Sequence, residues 1–310
     1  MNILVFEVID ILTQTQSNRK LHRSSSIVFF LFTLIPILLY LCFFIYPAAL
    51  GFMFSLTNYD GLSRSYDFIG LSNYINILKD SRVGNSVQFT SFYTIVVTFL
   101  KLFIALVLAI LLSSKLRGRG FMRSVYFFPA VLSLITTGLI FSEIFKVVLP
   151  QIGERLNILW MTDNILADPQ NAIIGIIIAD LWHGVAVPMV IFMAGLGNVP
   201  NDLREASVLD GANPLQQFFY ITLPFLIPML NVNLVLSIKA SITVFDLIMA
   251  MTSGGPGQAT ESIGYLIYNQ GFNDLKFGYA AAESIYVFLA IGIISFLQIK
   301  LLNRKEVGQQ

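Results

Sequence analysis

Six long apolar stretches constrain this chain of 310 residues more than any other feature of its sequence. Each has at least the ~20 residues that an α-helix needs to cross a hydrocarbon core of roughly 30 Å, and about twice the length that a barrel strand needs. The sequence therefore predicts an all-α, polytopic integral membrane protein with six transmembrane helices. The predicted spans are 27–50, 89–112, 124–145, 171–193, 225–251 and 280–302.

The charge content agrees with a lipid-embedded chain. Charged residues make up 12% of the sequence, against about 25% in an ordinary globular protein. The net charge is only +1, which gives no electrostatic footprint for nucleic acid, so nucleic acid is not an expected partner. The charges inside the predicted spans are candidates for functional or pairing roles, and they are Lys101, Glu143, Asp180, Lys239, Asp246, Glu283 and Lys300.

Lysine and arginine are biased toward one side of the predicted spans. Because these residues concentrate on the cytoplasmic side of membrane proteins, both termini are predicted to be cytoplasmic, in a multi-pass protein of the cell membrane. Residues 1–26 would form an N-terminal arm, 27–302 the transmembrane domain and 303–310 a short tail. The basic residues that set this orientation are Arg19, Lys20, Arg23, Lys115, Arg117, Arg119, Arg123, Arg204, Lys300, Arg304 and Lys305.

The fourth connection, about 196–224, carries the most local information. Asp202 is placed to cap a helix over 203–209, with Glu205 three residues later in the position that reaches back to the cap. Gly211 then lies just past the helix end, where glycine is favoured. The pattern predicts a short helix and a tight turn on the cytoplasmic face.

A second helix is predicted directly after this turn. Asn213 is a good cap and Pro214 suits the first helical position, and the helix would extend to Thr222. Small residues around the turn, Ala206, Ser207 and Ala212, would let another protein approach the backbone closely. From these residues alone, a simple hairpin that leads back into the membrane is an equally open interpretation.

The same loop resembles the signature of a known family. Glu205-Ala206-Ser207, three residues, Gly211, nine residues and then Ile221-x-Leu223-Pro224 reproduce the EAA loop of the permease subunits of ABC importers, more narrowly the maltose, multiple-sugar and glycerol-phosphate group. Ser207 replaces the second alanine of that pattern. Further resemblances lie at Gly195-Leu196, Asp210-Gly211-Ala212, Phe245-Asp246, Gly254-Gly255-Pro256 and Gly278-Tyr279-Ala280-Ala281-Ala282.

The resemblance implies a type I ABC importer permease fold and a set of partners. These are a second, homologous permease subunit, two cytoplasmic ABC ATPase subunits that bind ATP and magnesium, and an extracytoplasmic solute-binding protein. No cofactor is implied for this chain, which lacks the G-x-x-x-x-G-K-[ST] phosphate loop and would be non-catalytic. The implied ATPase-coupling residues are Glu205, Ala206, Ser207, Asp210, Gly211 and Ala212.

Polar residues within two predicted spans are candidates for a substrate pathway. In the fourth span, Asp180, Trp182, His183 and Gly184 place a carboxylate, two polar-tipped rings and a small residue within about one turn, which suits a neutral polyol. His183 could equally be a packed, hydrogen-bonded histidine. In the fifth span a polar stripe recurs every four residues, and helix–helix contact is the open alternative; its members are Asn233, Ser237 and Ser241.

The resemblance places Asp180, Gly184, Ser237 and Ser241 where the related maltose permease lines its sugar site. The implied function is ATP-driven import of a neutral oligosaccharide, because a free Asp180 carboxylate would repel an anionic cargo. Alternatives are a glycerol-phosphate permease of the same family and a stand-alone secondary carrier. The sequence does not identify the sugar. Four other charged residues are expected to be structural. Lys239 and Asp246 would form an intrahelical pair or anchor the helix at the membrane interface, and Lys101 and Glu143 would act as anchors or pairing partners.

Overall fold

The structure, a computed structural model, describes residue 30 and residues 32–113 and 118–302. The predicted N-terminal arm 1–26 and tail 303–310 lie outside the described residues, as do Lys115 and Arg117. Within the described ranges the regular structure is helical, apart from one isolated bridge between Thr57 and Phe68.

Twelve helices follow in chain order through the described residues, and the predicted spans overlap six apolar segments among them. The predicted fifth span, 225–251, is interrupted, because one helix ends at Ile242 and another begins at Asp246. Five of the helices are long and apolar enough to cross a membrane, and a bent pair, Ala172–Gly184 with Ala186–Gly197, makes a sixth candidate span if it is counted as one. The all-α class is confirmed. The helices are α1 (Phe32–Ser55), α2 (Ser72–Ile77), α3 (Ser81–Ser113), α4 (Arg119–Phe127), α5 (Leu134–Leu156), α6 (Ala172–Gly184), α7 (Ala186–Gly197), α8 (Asn201–Leu209), α9 (Pro214–Ile242), α10 (Asp246–Met251), α11 (Ile263–Tyr268) and α12 (Phe277–Leu302).

The third span differs from its predicted position at 124–145. Pro129 has no N–H and interrupts the helical hydrogen bonding, so α4 ends at Phe127 and a 3₁₀ turn follows. Ser133 then caps α5, accepting a hydrogen bond from the Thr136 backbone N–H at 3.2 Å. The spanning helix therefore begins ten residues later than predicted, at Leu134, and continues to Leu156.

Prolines also shape the fourth and fifth spans. α6 and α7 meet at Val185 with a bend of 45°, because Pro188 cannot donate a hydrogen bond to the carbonyl one turn before it. α9 begins at Pro214 and passes Pro224 without a break, through a π-helical segment at Phe218–Thr222. The prediction of a separate helix that stops at Thr222 is wrong in this respect, because the wider π turn directly precedes the proline.

α3 is the central helix of the packing. Its buried residues take part in three apolar clusters: one with α5, α6 and α10 around Tyr93 and Val97, one with α7 and α9 around Ala105, and one with α11 and α12 around Val83. α1 is exposed along its apolar length. Only the end of α1 reaches the bundle, where the rings of Phe54 and Phe277 lie 6.0 Å apart.

Charged residues join the start of α3 to the chain segments around α11 and α12. Arg82 donates to both carboxylate oxygens of Glu261, at 2.9 and 2.8 Å, and its other terminal nitrogen lies 3.2 Å from Asp274. The Tyr279 hydroxyl donates to Asp80 at 3.0 Å. These contacts fix one end of the bundle, opposite to the end that carries α8.

Candidate functional site

The middle of the bundle contains a cavity of about 350 Å³ between α3, α5, α6, α7, α9 and α10. Five of the seven candidate residues from the fourth and fifth spans line it, namely Asp180, His183, Gly184, Asn233 and Ser237. Lys101, Phe245 and Asp246 line it as well. The structure thus brings together residues that lie up to 145 positions apart in the chain.

Asp180 is the most strongly held polar group of this cavity. One of its carboxylate oxygens lies 2.7 Å from the Lys101 ammonium, and the other accepts a hydrogen bond from the Tyr93 hydroxyl at 2.5 Å. Both partners come from α3, and all three residues are buried. The expected pairing role of Lys101 is confirmed, but Asp180 is not the free carboxylate that the sequence suggested.

Gly184 allows this ion pair to form. A Cβ atom at this position would lie 2.7 Å from both Cε and Nζ of Lys101 and 3.1 Å from the Asp180 carboxylate. Such distances are shorter than van der Waals contact, so any larger residue would displace the lysine. The absence of a side chain at Gly184 therefore leaves the space in which Lys101 extends along α6 to Asp180.

His183 lines the cavity and also holds the break before α5. Its Nε2 atom lies 3.0 Å from the Leu132 carbonyl oxygen, at the extended residue between the 3₁₀ turn and α5. Trp182 turns away from the cavity and packs edge-on against Phe141 with ring centroids 5.4 Å apart. Residues two apart in a helix point in nearly opposite directions, so Asp180 and Trp182 cannot share one small site.

The predicted polar stripe on α9 divides between two environments. Asn233 and Ser237 line the cavity, and the Asn233 amide donates to the Pro188 carbonyl at 3.3 Å. Ser241 is buried and is not among the cavity residues, and its hydroxyl has no hydrogen-bond partner within the described part of the chain. Ser241 thus lies against packed helices and not on the cavity wall.

The expected pair of Lys239 and Asp246 is wrong. α9 ends at Ile242, between the two residues, so they do not share one helix face. The ion pairs of the described residues are Arg82–Glu261, Arg82–Asp274 and Lys101–Asp180. Asp246 instead lies on the cavity wall without an ion-pair partner in the described chain.

The predicted coupling loop has a well-defined turn. Asn213 and Gln216 form a reciprocal capping box, and Pro214 is the first helical residue of α9, as predicted. At the end of α8, the Ala212 N–H donates to the Ser207 carbonyl and the Gly211 N–H to the Val208 carbonyl. This is a Schellman motif, and Gly211 has the positive φ of +79° that the motif requires.

The start of α8 differs from the predicted one. α8 begins at Asn201 after Pro200, and Asp202 lies in the first turn without a side-chain capping bond. Glu205 is exposed and forms no capping box. Large apolar side chains project from the surface of the loop and the adjoining turn of α9, most strongly Leu209 at 88% and Tyr220 at 80% exposed. Leu209 lies outside the candidate spans, where an exposed apolar side chain of this size is typical of a protein contact site.

Taken together, the fold and the two sites define a class: a polytopic helical membrane protein with a polar cavity between its spans and an apolar loop at one end. Residues 101–307 match the family described as "Binding-protein-dependent transport system inner membrane component". The chain belongs to this family. It is therefore the non-catalytic, membrane-spanning component of a binding-protein-dependent transporter.

Curated relatives extend over almost the whole chain. A multiple sugar-binding transport system permease protein, MsmF from Streptococcus mutans, is 37% identical over 276 residues, which cover 89% of this chain and 95% of the relative. A probable starch degradation products transport system permease protein, AmyD from Thermoanaerobacterium thermosulfurigenes, is 31% identical over 84% of this chain and 89% of the relative. An sn-glycerol-3-phosphate transport system permease protein, UgpA from Agrobacterium fabrum, is 29% identical, with 87% and 92% covered.

A solved structure confirms the fold. The crystal structure of a bacterial ABC transporter involved in the import of the acidic polysaccharide alginate contains a chain that matches with a TM-score of 0.75. The match covers 88% of this chain and 94% of that chain, at 17% sequence identity. The fold is thus that of an ABC importer permease.

Lys101 and Asp246 line the cavity although the sequence predicted structural roles for them. Lys101 and Asp246 carried a signal, since both are charges inside apolar stretches, but spacing in the sequence could not connect Lys101 to Asp180 across 79 residues. Within the described ranges no group of three or more His, Cys, Asp or Glu side chains could hold a metal ion.

Proposed function

We propose that this chain is the permease subunit of an ATP-driven, binding-protein-dependent importer for a neutral sugar, in particular an oligosaccharide. The names of the relatives support sugar as the substrate class. The observation that carries the proposal is the composition of the mid-bundle cavity. It offers hydrogen-bonding groups, one flat aromatic residue and a surplus of negative charge.

The hydrogen-bonding groups match the hydroxyls of a sugar. The Lys101 ammonium has further N–H donors beyond the one directed at Asp180, and Asn233 and Ser237 supply an amide and a hydroxyl. Phe245 offers an apolar ring to a sugar face. A volume of about 350 Å³ is within the range of small-molecule sites, roughly 300–1,000 Å³. Ser241 is not part of this proposed contact set.

The charge of the cavity favours a neutral cargo. Lys101 and Asp180 neutralise each other, which leaves Asp246 as the unpaired carboxylate on the wall. A lone carboxylate in a site of low dielectric repels anions more strongly than it would in water. Repulsion of an anionic substrate such as glycerol phosphate is therefore assigned to Asp246 and not to Asp180.

The partners follow from the same proposal. The cavity is one wall of a pathway whose other wall is a second, homologous permease subunit. Glu205, Ala206, Ser207, Asp210, Gly211 and Ala212 form the coupling surface for two cytoplasmic ABC ATPase subunits, which bind ATP and magnesium. An extracytoplasmic binding protein delivers the sugar, and both termini are cytoplasmic. The exposed apolar residues of the loop support this docking role.

The test is uptake into proteoliposomes that contain the complete transporter and its binding protein. We expect ATP-dependent uptake of a radiolabelled neutral oligosaccharide, and weak competition by an oligosaccharide that carries uronic acids. Asp246→Asn should strengthen that competition, whereas Asp60→Asn in an exposed loop should not. Uptake that does not need ATP, or selective uptake of glycerol 3-phosphate, would contradict the proposal.

A further inference from the structure

A second, basic cavity lies at the end of the bundle that carries the coupling loop. It has a volume of about 610 Å³ between the ends of α3 and α7, α4, α8 and the start of α9. Arg119 and Arg123 from α4 and Arg204 from α8 line it, together with neutral polar residues that include Asn201 and Gln217. No aspartate or glutamate is among the lining residues.

The three arginines are not neutralised within the described part of the chain. None of them takes part in the three ion pairs found there. The acidic residues Asp202 and Glu205 of α8 are not among the residues that line the cavity. Residues 114–117, Ser-Lys-Leu-Arg, precede α4 and add two more cations and no acid to this stretch of sequence.

An apolar cavity of about 690 Å³ adjoins the basic one. The two cavities share Arg123 and Met193, so the basic cavity leads directly to apolar side chains. α4 has the sequence of an interfacial amphipathic helix, with Arg119 and Arg123 one turn apart on one face. The other residues that line the apolar cavity include Phe127, Phe128, Val131, Val190 and Ala194.

We propose that the two cavities together form a binding site for an anionic phospholipid. The phosphate lies among the three arginines, whose planar guanidinium groups suit phosphate oxygens, and an acyl chain lies in the apolar cavity. Basic pockets between transmembrane helices at the membrane surface recognise lipid headgroups in this way. A soluble anion has no acyl chain, so it would occupy the basic cavity alone and leave the apolar cavity empty.

The proposed site gives the lipid a mechanical role. Its lining residues come from α4, α8 and the start of α9, so a bound headgroup would join the coupling loop to α4 through charge-assisted hydrogen bonds. Lipid binding at this site requires only that this end of the bundle lies at a membrane surface. It does not depend on the identity of the transported substrate.

The experiment is native mass spectrometry of the full chain, purified with the subunits that accompany it and titrated with phosphatidylglycerol or phosphatidylcholine. Each arginine near a headgroup strengthens binding of an anionic lipid about fivefold. We therefore expect Arg119→Gln/Arg123→Gln to weaken phosphatidylglycerol binding about 25-fold and to leave phosphatidylcholine binding unchanged. The matched control is Arg155→Gln, because Arg155 lies near the C-terminal end of α5 and lines neither cavity.

A second variant tests the apolar half of the site. Ala194 is exposed on the wall of the apolar cavity, so Ala194→Phe should fill part of the space for the acyl chain and reduce phosphatidylglycerol binding with all arginines present. Equal phosphatidylglycerol binding by the wild type and the double arginine variant would overturn the proposal. So would full displacement of the lipid by glycerol 3-phosphate, or loss of the ATPase subunits from the arginine variant with lipid binding intact.

Discussion

The buried ion pair of Lys101 and Asp180 allows a quantitative test of how this bundle is held together. Lys101→Met keeps the length of the side chain and removes its charge. The two charged atoms are 2.7 Å apart and both side chains are at most 10% exposed, so their attraction is on the order of 6 kcal/mol at an effective dielectric constant of 20. Much of this energy offsets the cost of removing both ions from water.

Loss of the lysine leaves the Asp180 carboxylate buried with only the Tyr93 hydroxyl as a partner. Breaking a buried pair in this way costs roughly 3–5 kcal/mol, whereas replacing both charges costs far less. We therefore expect Lys101→Met to lower the apparent unfolding midpoint of the purified transporter by roughly 6–10 °C, at about 2 °C per kcal/mol. The double variant Lys101→Met/Asp180→Asn should recover most of this loss.

The assay is thermal unfolding of the four proteins of this cycle, followed by intrinsic fluorescence in the same detergent. Lys239→Met is the matched control, since this exposed lysine of α9 forms no ion pair in the described chain, and its effect should be within about 0.5 kcal/mol. If the two single substitutions were additive in the double variant, Lys101 and Asp180 would not be coupled and the reasoning would fail.

Three further substitutions test other parts of the structure. Gly184→Val should displace the Lys101 side chain and destabilise the protein by roughly 1–3 kcal/mol. In the Lys101→Met background the same substitution should cause no further destabilisation through the ion pair, because that pair is already absent. Gly211→Val places a β-branched residue at positive φ, at a cost of roughly 1–3 kcal/mol, and should reduce co-purification of the ATPase subunits; Gly197→Val, at an ordinary φ with open space around it, should retain them. Arg82→Met leaves Glu261 buried without its cation and should destabilise the complex by up to about 3 kcal/mol, a loss that Glu261→Gln in the same chain should largely reverse.

The fold class and the turn after α8 could be predicted because their signals are local. Apolar stretches of sufficient length specify spanning helices wherever they occur, since an unsatisfied backbone group in lipid is too costly. The turn after α8 likewise depends on neighbouring residues: Gly211 supplies the positive φ, and Asn213 with Pro214 starts the next helix. In contrast, the helix ends near Pro129 and Pro224 were misplaced. The helix breaks at Pro129, whereas a π-helical turn before Pro224 lets the helix continue past it.

The mid-bundle cavity could be predicted only in part. Asp180, His183, Gly184 and Ser237 were identified from charge, polarity and the resemblance to a family, and the structure places all four around one cavity. Ser241 follows Ser237 at the same four-residue spacing but lies against packed helices, because helical periodicity does not show which neighbouring helix a face contacts.

The sequence by itself determined that this chain is a helical membrane protein, that it has six apolar spans and that it carries a loop of the EAA type. Only the tertiary structure decided which charges meet. It paired Lys101 with Asp180 across the contact between α3 and α6, and it separated Asp246 from Lys239 at the end of α9. The physical reason is that apolar length and turn chemistry act between near neighbours in the chain, whereas the state of a buried charge depends on whichever helix packs against it.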